Sequence, residues 1–391
     1  MNLLNYVDRF VLPAIIEKVR VDIPMNDKEQ GVALTAFIWV YMVTAPLFGR
    51  LGDRGPRKGL LALGVALWSL ATAAAAMAQS FTMLVLSRAV VGIGEAAYAT
   101  LSPALLGDLF GPKDRGRAMA FFYLATPVGS ALGYVIGGQV ESHFGWRAAF
   151  LAVGLPGLVI AASALLMKEP PRGQFDEAKP ELLPLGETLR ALAANRIYRW
   201  SVLGSTFYTF ALGGLAQWMP TYLTRVRHLD GARANTLFGA LTVVTGILGT
   251  VLGGWAAERL KPRTRHAYLA VSAVATLAAV PFSVAAFAVE DAALLWPVIF
   301  VAELFVFVST GPMNAVLADA LPPSMRAMGF AVSLLAMHAL GDAVSPALIG
   351  AVSDATGSLS VAVMLVPLFF SLAAAVWALA WRRLPAAGTE V

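Results

Sequence analysis

Long apolar runs separated by short polar loops dominate the chain. A spanning helix needs about 20 mostly apolar residues, because hydrocarbon offers its backbone no other hydrogen-bond partner. Twelve runs meet this requirement: 2–19, 30–49, 59–78, 82–107, 117–140, 148–167, 200–223, 233–257, 267–288, 294–318, 327–352 and 359–381. The pattern predicts an all-α membrane protein with twelve transmembrane helices.

A polar stretch separates the first six runs from the last six. Residues 168–197 hold four prolines and charges of both signs, a composition typical of a linker. Within it, LGETLRALAANR predicts one interfacial helix. We therefore expect an N-terminal six-helix bundle over 1–167, a cytoplasmic linker over 168–199 and a C-terminal six-helix bundle over 200–391.

Composition supports a membrane protein. The chain is 58% hydrophobic and 14% charged, against about 45–50% and 25% in soluble domains. The absence of cysteine excludes disulfides and thiolate metal sites. The net charge of +5 comes from clusters between apolar runs, which favours anionic headgroups over nucleic acid as partners. We expect no cleavable signal peptide, because the first apolar run contains Asp8 and Arg9.

The distribution of basic residues predicts the orientation. If both termini face the cytoplasm, the inner loops hold twenty Lys and Arg residues and the outer loops hold seven. Cytoplasmic loops are enriched in these residues, so the bias predicts cytoplasmic termini. We expect a multi-pass protein of a bacterial inner membrane.

The two halves contain similar segments. GDLFGPKDRGRAMAF at 107–121 aligns with ADALPPSMRAMGFAV at 318–332, and GRLGDR at 49–54 aligns with GWAAER at 254–259. The offset of the first pair is 211 residues, which matches Asp108 with Asp319 and Arg115 with Arg326. Six-helix repeats of the same sense, related by an axis along the membrane normal, are one known plan of transporters.

The loop GRLGDRGPRKG at 49–59 resembles the G-x-L-a-D-r-x-G-r-[kr] signature of the major facilitator superfamily. One position departs from it, because Pro56 stands where the signature has its second glycine. The resemblance implies that Asp53 clamps the cytoplasmic side in the outward-open state, held by arginines and a helix N-terminus. The predicted cytoplasmic gate comprises Gly49, Asp53, Arg54, Arg57, Arg117, Glu258 and Arg259.

Two segments resemble the Spinster group of that superfamily: LLNYVDRFVLPAI at 3–15 and RAVVGIGEAAYATLSPALLGDLF at 88–110. The resemblance implies two six-helix bundles around a central cavity, alternating access and a monomer. Animal members are associated with export of sphingosine-1-phosphate and lysophospholipids. The chain departs from the group in that only seven residues precede Asp8.

Ionisable residues inside the predicted spans are candidates for function, since a charge at the bilayer centre costs about 2.5–3.5 kcal/mol on insertion scales. Asp8 lies in the first span, while Arg88 and Glu95 lie about two turns apart in the fourth. We predict that these three form a proton-coupling cluster, in which Arg88 changes partner as the cavity opens and closes. The alternative is a static buried salt bridge that fixes helix packing.

Polar and aromatic residues of the other spans predict a cavity for an amphipathic substrate. His338 and Asp342 lie four residues apart and share a helix face, so a proton role and a substrate contact both stay open. The candidate cavity residues are Asn5, Arg9, Phe37, Tyr41, Tyr98, Tyr208, Trp218, Glu303, Asn314, His338 and Asp342.

No sequence motif indicates an enzyme or a pump. The chain has no G-x-x-x-x-G-K-[ST] and no H-E-x-x-H, so we expect neither ATP hydrolysis nor a metal or other cofactor. The predicted function is proton-coupled export of an amphipathic or lipid-like molecule. A drug/proton antiporter, an organic-anion symporter that uses Arg9 and Arg88, and a receptor or scaffold on the same fold are the alternatives.

Overall fold

The structure is a computed structural model that describes residues 1–172, 175, 184–264 and 266–383. Over these residues it consists of helices joined by short connections, with no strand. The α-helices are α1 Asn2–Asp22, α2 Asp27–Arg54, α3 Arg57–Ala75, α4 Phe81–Leu109, α5 Pro112–Phe144, α6 Trp146–Leu165, α7 Leu185–Ala194, α8 Arg196–Thr221, α9 Gly231–Leu260, α10 Ala267–Ala288, α11 Ala292–Val308, α12 Thr310–Asp319, α13 Pro323–Met337, α14 Ser345–Thr356, α15 Leu359–Ala362 and α16 Leu365–Arg383. Segments of π-helix follow α8 at Tyr222–Val226 and α13 at His338–Asp342.

Ten helical segments in the described part of the chain are long and apolar enough to cross a membrane. They are Asp27–Arg54, Arg57–Ala75, Phe81–Leu109, Arg117–Phe144, Trp146–Leu165, Gly231–Leu260, Ala267–Ala288, Ala293–Asp319, Met328–Thr356 and Leu359–Arg383. These confirm ten of the predicted spans. The other two predicted spans, 2–19 and 200–223, are helical as α1 and α8 but more polar, since α1 carries six charged residues and α8 is rich in Ser, Thr, Tyr and Gly.

Several predicted spans are not continuous α-helices; the span predicted at 359–381, for example, is divided between α15 and α16. The span predicted at 294–318 changes from α11 to α12 at Ser309. The span predicted at 327–352 is interrupted after α13, where Gly341 has the non-helical angles φ −104° and ψ −105°. Such interruptions leave backbone groups to be satisfied by neighbouring helices, and they are tolerated in membrane proteins where the backbone is buried in protein or lines a cavity.

The described residues form two compact units. The first unit contains Met1–Glu177, Gln217–Ala240 and Pro346–Leu359, and the second contains Ala178–Ala216, Leu241–Ser345 and Ser360–Val391. Because the first unit takes segments from both sequence halves, this division does not test the predicted boundaries at 167 and 200. Linker residues 173–174 and 176–183, together with Arg265 and 384–391, lie outside the described residues.

The first unit has an apolar core in which α1 packs closely along α5. Val11, Ile16 and Phe150 are fully buried in this core. Glycines recur at four-residue intervals along α5, at 129, 133 and 137, and a Cβ on Gly133 would overlap the Val7 carbonyl of α1. Small residues at this spacing let two membrane helices approach backbone to backbone.

The second unit contains the helix predicted within the linker. In α7, Leu192 is buried in a cluster with Tyr198, Leu317, Leu321 and Met325. Leu185 and Leu189, on the same short helix, remain exposed. The helix is therefore confirmed and packs through one face, while its interfacial position stays a prediction.

Candidate functional site

A buried ion pair joins α1 to α4 in the first unit. Arg88 Nη1 donates to Asp8 Oδ1 at 2.8 Å, and both side chains are only 1% exposed. The other carboxylate oxygen, Oδ2, accepts a hydrogen bond from the Thr72 hydroxyl of α3. Three helices therefore meet at the Asp8 carboxylate, and two members of the predicted cluster, Asp8 and Arg88, are in contact.

A second ion pair lies beside the first. Arg9 Nε donates to Glu95 Oε2 at 2.8 Å, with the Glu95 side chain completely buried and that of Arg9 17% exposed. The Arg9 guanidinium also lies over the rings of Tyr6, Phe37 and Tyr41, at 5.2, 5.3 and 5.7 Å from the ring centroids. A cation over an aromatic face is attracted by the ring quadrupole, so the three rings hold Arg9 in place.

Phe37 of α2 connects the two pairs. The Arg88 guanidinium lies 5.5 Å from its ring centroid, and that of Arg9 lies 5.3 Å away. The close packing of α2 and α4 fixes this arrangement, since a Cβ on Gly92 would overlap the Phe37 carbonyl. Arg88 lies one turn before Gly92 in α4, so the close approach at this glycine brings Arg88 to the Phe37 ring.

This geometry differs from the predicted cluster in one respect. The sequence places Asp8, Arg88 and Glu95 together and assigns Arg9 to the cavity, whereas in the structure Arg9 is the partner of Glu95. The residues form two separate ion pairs because α1 presents consecutive residues to α4. We therefore refer to Asp8, Arg9, Arg88 and Glu95 as the paired-charge cluster.

The paired-charge cluster is incompletely hydrogen-bonded. Glu95 Oε1, Arg88 Nε and the neighbouring Asn5 Nδ2 are buried without a hydrogen-bond partner among the described residues. A buried polar atom without a partner costs about 1–3 kcal/mol, and more for a charged group. Stability alone therefore explains this arrangement poorly.

The second unit contains a buried carboxylate of a different kind. Glu303 of α11 is 3% exposed and accepts hydrogen bonds from the hydroxyls of Thr242 and Thr245 of α9, at 3.1 and 3.0 Å. No Lys, Arg or His of the described chain lies within ion-pair distance of it. In the described part of the chain, the two threonine hydroxyls therefore solvate this carboxyl group.

The predicted His338–Asp342 contact is present in the π-helical segment. His338 Nδ1 lies 2.9 and 3.0 Å from the two Asp342 carboxylate oxygens, and both side chains are partly exposed. Asn314 of α12 is used locally, since its amide donates to the Thr310 carbonyl at 3.0 Å. Within the described residues, no cluster of His, Asp or Glu could hold a metal ion.

Three aromatic residues predicted to line the cavity instead lie in the packed interior. Tyr98 packs edge-on against Trp68, with ring centroids 5.4 Å apart. The Tyr208 hydroxyl donates to the Val306 carbonyl at 2.8 Å. Trp218 Nε1 donates to the Pro346 carbonyl at 3.0 Å.

All three side chains are at most 3% exposed, so the structure gives them no open surface. Their rings fill space between helices, while the polar atoms of Tyr208 and Trp218 are satisfied by backbone carbonyls. Packing thus explains their burial, and the cavity prediction is not supported for this conformation.

Some residues of the predicted gate form ion pairs with described residues, and others do not. Arg57 Nη1 donates to Asp108 Oδ2 at 2.5 Å. Asp53, Arg54 and Arg117 form no ion pair with another described residue. Gly49, by contrast, simply packs near Thr100 of α4. Asp53 thus has no ion-pair partner in the described part of the chain, and the clamp implied for an outward-open state stays a prediction.

Among the described residues, the second-half members of the predicted gate contact their own neighbourhood. Glu258 Oε1 accepts from Lys261 Nζ at 2.6 Å and from the Tyr268 hydroxyl at 2.9 Å. Arg259 lies over the Trp255 ring, 5.7 Å from its centroid. Both contacts are local, so they give no sign of a clamp.

A charged network that the sequence analysis missed lies at the opposite end of α2. It comprises Glu17, Arg20, Asp27, Gln30, Arg225, Ser353 and Asp354, all in the first unit, and we call it the Arg225 network. Arg225 donates to Glu17 at 2.7 Å, to both oxygens of Asp27 at 2.7 and 2.9 Å and to Gln30 at 3.1 Å.

Two α14 residues complete the Arg225 network at the start of α2. The Ser353 hydroxyl donates to Asp27 Oδ2 at 2.6 Å. The Asp354 carboxylate accepts from the backbone N–H groups of Asp27 and Lys28 at 3.0 and 2.9 Å. The network thus ties α1 and α2 to the segments at 222–226 and 345–356. Its sequence signal is weak, because these residues read as ordinary loop charges.

Comparison with known proteins gives a consistent result. The pattern of the Major Facilitator Superfamily matches residues 1–346. The protein spinster homolog 1 of Xenopus tropicalis is 36% identical over 378 residues, covering 90% of this chain and 71% of that protein. Its human counterpart is 37% identical over 379 residues, with the same coverage.

A solved structure has the same fold. It is the crystal structure of a bacterial homolog to the human lysosomal transporter Spinster, in an inward-facing and unoccupied conformation. The TM-score is 0.88 at 24% sequence identity, and the match covers 97% of this chain and 95% of that one.

Proposed function

This chain belongs to the Major Facilitator Superfamily and to its Spinster group, and on that basis we propose that it exports an amphipathic molecule in exchange for protons. Membership makes it a multi-pass membrane transporter of a small molecule and not an enzyme. The exchanged ion, the substrate class and the direction are our proposal, as are a bacterial inner membrane and a monomer.

The paired-charge cluster carries the proposal of proton coupling. Asp8 and Glu95 are carboxylates buried in helices of the bundle, each held by one arginine. Replacing buried ion pairs by apolar residues is often neutral or stabilising, so stability alone gives little reason to keep them. A proton that binds Glu95 cancels its attraction for Arg9, and release of that proton restores the pair.

The rings around Arg9 support an amphipathic substrate. Tyr6 and Tyr41 are partly exposed and lie beside a guanidinium that is still 17% exposed, which places apolar surface and positive charge side by side. Organic-anion symport is the second candidate, because protonation of Glu95 would free Arg9 for an anionic group. Export of a cationic drug would leave this guanidinium without a role.

For the membrane arrangement we propose twelve spans, with α1 and α8 as the two beyond the ten apolar segments. The 21 residues of α1 extend about 31 Å at 1.5 Å per residue, enough to cross a hydrocarbon core of about 30 Å. With both termini in the cytoplasm, the Arg225 network lies on the outer side and the 49–59 loop on the inner side. The network then closes the outer side in this conformation.

The test is flux in proteoliposomes with and without an imposed pH gradient. A panel of labelled lysolipids is compared with a cationic dye. Lysolipid flux that scales with the gradient supports the proposal, whereas flux of the dye alone supports a drug exporter. Lysolipid flux that ignores the gradient refutes proton coupling, and a protein that moves none of these probes favours a receptor or scaffold.

A further inference from the structure

The first residues of the linker contact the loop between α2 and α3. The Glu169 carboxylate accepts hydrogen bonds from the backbone N–H groups of Arg57 and Lys58, at 3.0 and 3.4 Å. These are the first N–H groups of α3, which have no partner within the helix. A carboxylate at this position also complements the positive end of the helix dipole.

Three residues further on, Arg172 contacts the end of α2. Its guanidinium donates to the carbonyls of Gly52 at 2.9 Å and Gly55 at 2.6 Å, and also to the Asp53 carbonyl. The last carbonyls of a helix lack partners in the same way, and a cation complements the negative end of the dipole. The acid and the base of the linker therefore hold the two helix ends on either side of the Gly55–Pro56 turn.

Arg57 connects this contact to α4. Its side chain is buried and bonds Asp108 at 2.5 Å, Glu169 at 3.3 Å and the Pro170 carbonyl at 3.2 Å. Burial raises the pKa of Glu169. The N–H groups of Arg57 and Lys58 and the Arg57 guanidinium lower it by a larger amount, so its pKa lies below the ordinary value. The contribution of this carboxylate is therefore present at neutral pH and is lost only as the pH falls through its folded-state pKa.

The second half lacks an equivalent arrangement among its described residues. Extending the match of Gly49–Arg54 with Gly254–Arg259 places Pro262 at the position of Arg57. The acid of that loop, Glu258, is bonded by Lys261 and Tyr268 from its immediate neighbourhood. The linker contact is thus a feature of the first half, and duplication alone does not account for it.

We propose that Glu169 and Arg172 are positioning residues for the cytoplasmic gate, which hold the 49–59 loop in register through its backbone and through Arg57. The linker is then part of the gate as well as a tether between halves. Neither residue touches the paired-charge cluster, so the role is separate from proton coupling and substrate binding.

Hydrogen–deuterium exchange of the full chain in nanodiscs tests the contact directly. Glu169→Gln and Arg172→Gln are compared with Lys168→Gln, which removes a charge from the exposed adjacent residue. We expect the amide exchange rate at residues 55–58 to rise about tenfold in Glu169→Gln and Arg172→Gln. This factor corresponds to the lower limit of the free energy of hydrogen bonds to charged groups. Unchanged exchange there, or an equal rise in Lys168→Gln, would overturn the inference.

Transport by the same variants separates positioning from a structural role. The transport experiment rests on the proposed gate function of the loop. If the wild-type protein transported no probe, that result would count against the gate function and would leave the exchange result unaffected. We expect Arg172→Gln to lower the maximal rate severalfold with an unchanged half-saturation concentration. Arg172→Lys, which keeps the charge and part of the hydrogen bonding, should restore most of the rate. A raised exchange rate with normal maximal flux would refute the positioning role.

Discussion

Replacing Arg225 with glutamine removes a guanidinium that donates hydrogen bonds to Glu17, Asp27 and Gln30. The Arg225 and Glu17 side chains are 28% and 27% exposed, and that of Asp27 is 9% exposed. These pairs therefore lie between exposed ion pairs, worth about 0.2–1 kcal/mol, and buried pairs, whose disruption costs about 3–5 kcal/mol. We therefore expect Arg225→Gln to destabilise the state with a closed outer side by about 2 kcal/mol. This corresponds to a population shift of about 30-fold toward the outward-open state.

The assay uses the natural absence of cysteine in this chain. Thr221→Cys introduces a single thiol at a fully buried position beneath the network, where the native hydroxyl accepts a hydrogen bond from Gln30. Where opening is rare and rapidly reversible, the labelling rate by a membrane-impermeant maleimide follows the open population. We expect Arg225→Gln to label about 30 times faster than the Thr221→Cys parent from the outer side.

Arg233→Gln is the matched control for charge. It removes an exposed arginine from the same region that forms no ion pair with another described residue. Equal labelling of Arg225→Gln and its parent would refute the reasoning that this network holds the outer side closed. Equal acceleration by Arg233→Gln would attribute the effect to net charge, and faster labelling only from the inner side would invert the proposed topology.

Three further predictions concern buried residues. Asp8→Asn and Glu95→Gln should each abolish pH-gradient-dependent flux in proteoliposomes while the protein stays folded, and wild-type flux in both would contradict coupling through this cluster. Glu303→Gln should raise the substrate half-saturation concentration severalfold. It should keep the gradient dependence, because the amide can still bond the two threonine hydroxyls. Loss of gradient dependence would instead place coupling in the second unit. Gly92→Ala should lower the free energy of unfolding by about 1–3 kcal/mol, the typical cost of overpacking. Gly107→Ala on the same helix, where the added methyl group meets open space, should not lower it. Equal melting temperatures of the two variants would exclude tight packing at Gly92.

The sequence was sufficient for the family and for most of the helices. Hydropathy averages over about 20 residues, so it locates apolar segments and overlooks local interruptions. The break at Gly341 depends on a few backbone angles inside an apolar run. The change from α11 to α12 at Ser309 is equally invisible to such an average.

Charge pairing was harder to predict than charge burial. Helical periodicity places Asp8 and Arg9 on one broad face, but only the packing of α1 against α4 decides that Arg88 bonds Asp8 and Arg9 bonds Glu95. From the sequence alone, an aromatic residue such as Tyr208 looks the same whether it lines a cavity or fills a packed interior. Their surroundings, which involve residues far apart in sequence, separate the two cases.

The Arg225 network shows the same limitation at the helix ends. Its members come from segments more than 300 residues apart, such as Asp27 and Asp354. A count of basic residues uses Arg225 only as evidence for topology. Contacts between distant loop residues depend on the assembled fold, so no local pattern could have indicated this network.

The polar composition of α1 has a consequence for how the protein is made. Asp8 and Arg9 each cost about 2.5–3.5 kcal/mol on translocon insertion scales when placed at a helix centre, so α1 is a poor candidate to enter the bilayer on its own. Its partners are the buried charges of α4 and the glycine face of α5, which emerge from the ribosome about 80 to 130 residues later. We expect α1 to wait at the membrane surface or beside the translocon until these helices arrive. α1 would then insert after helices that follow it in the chain.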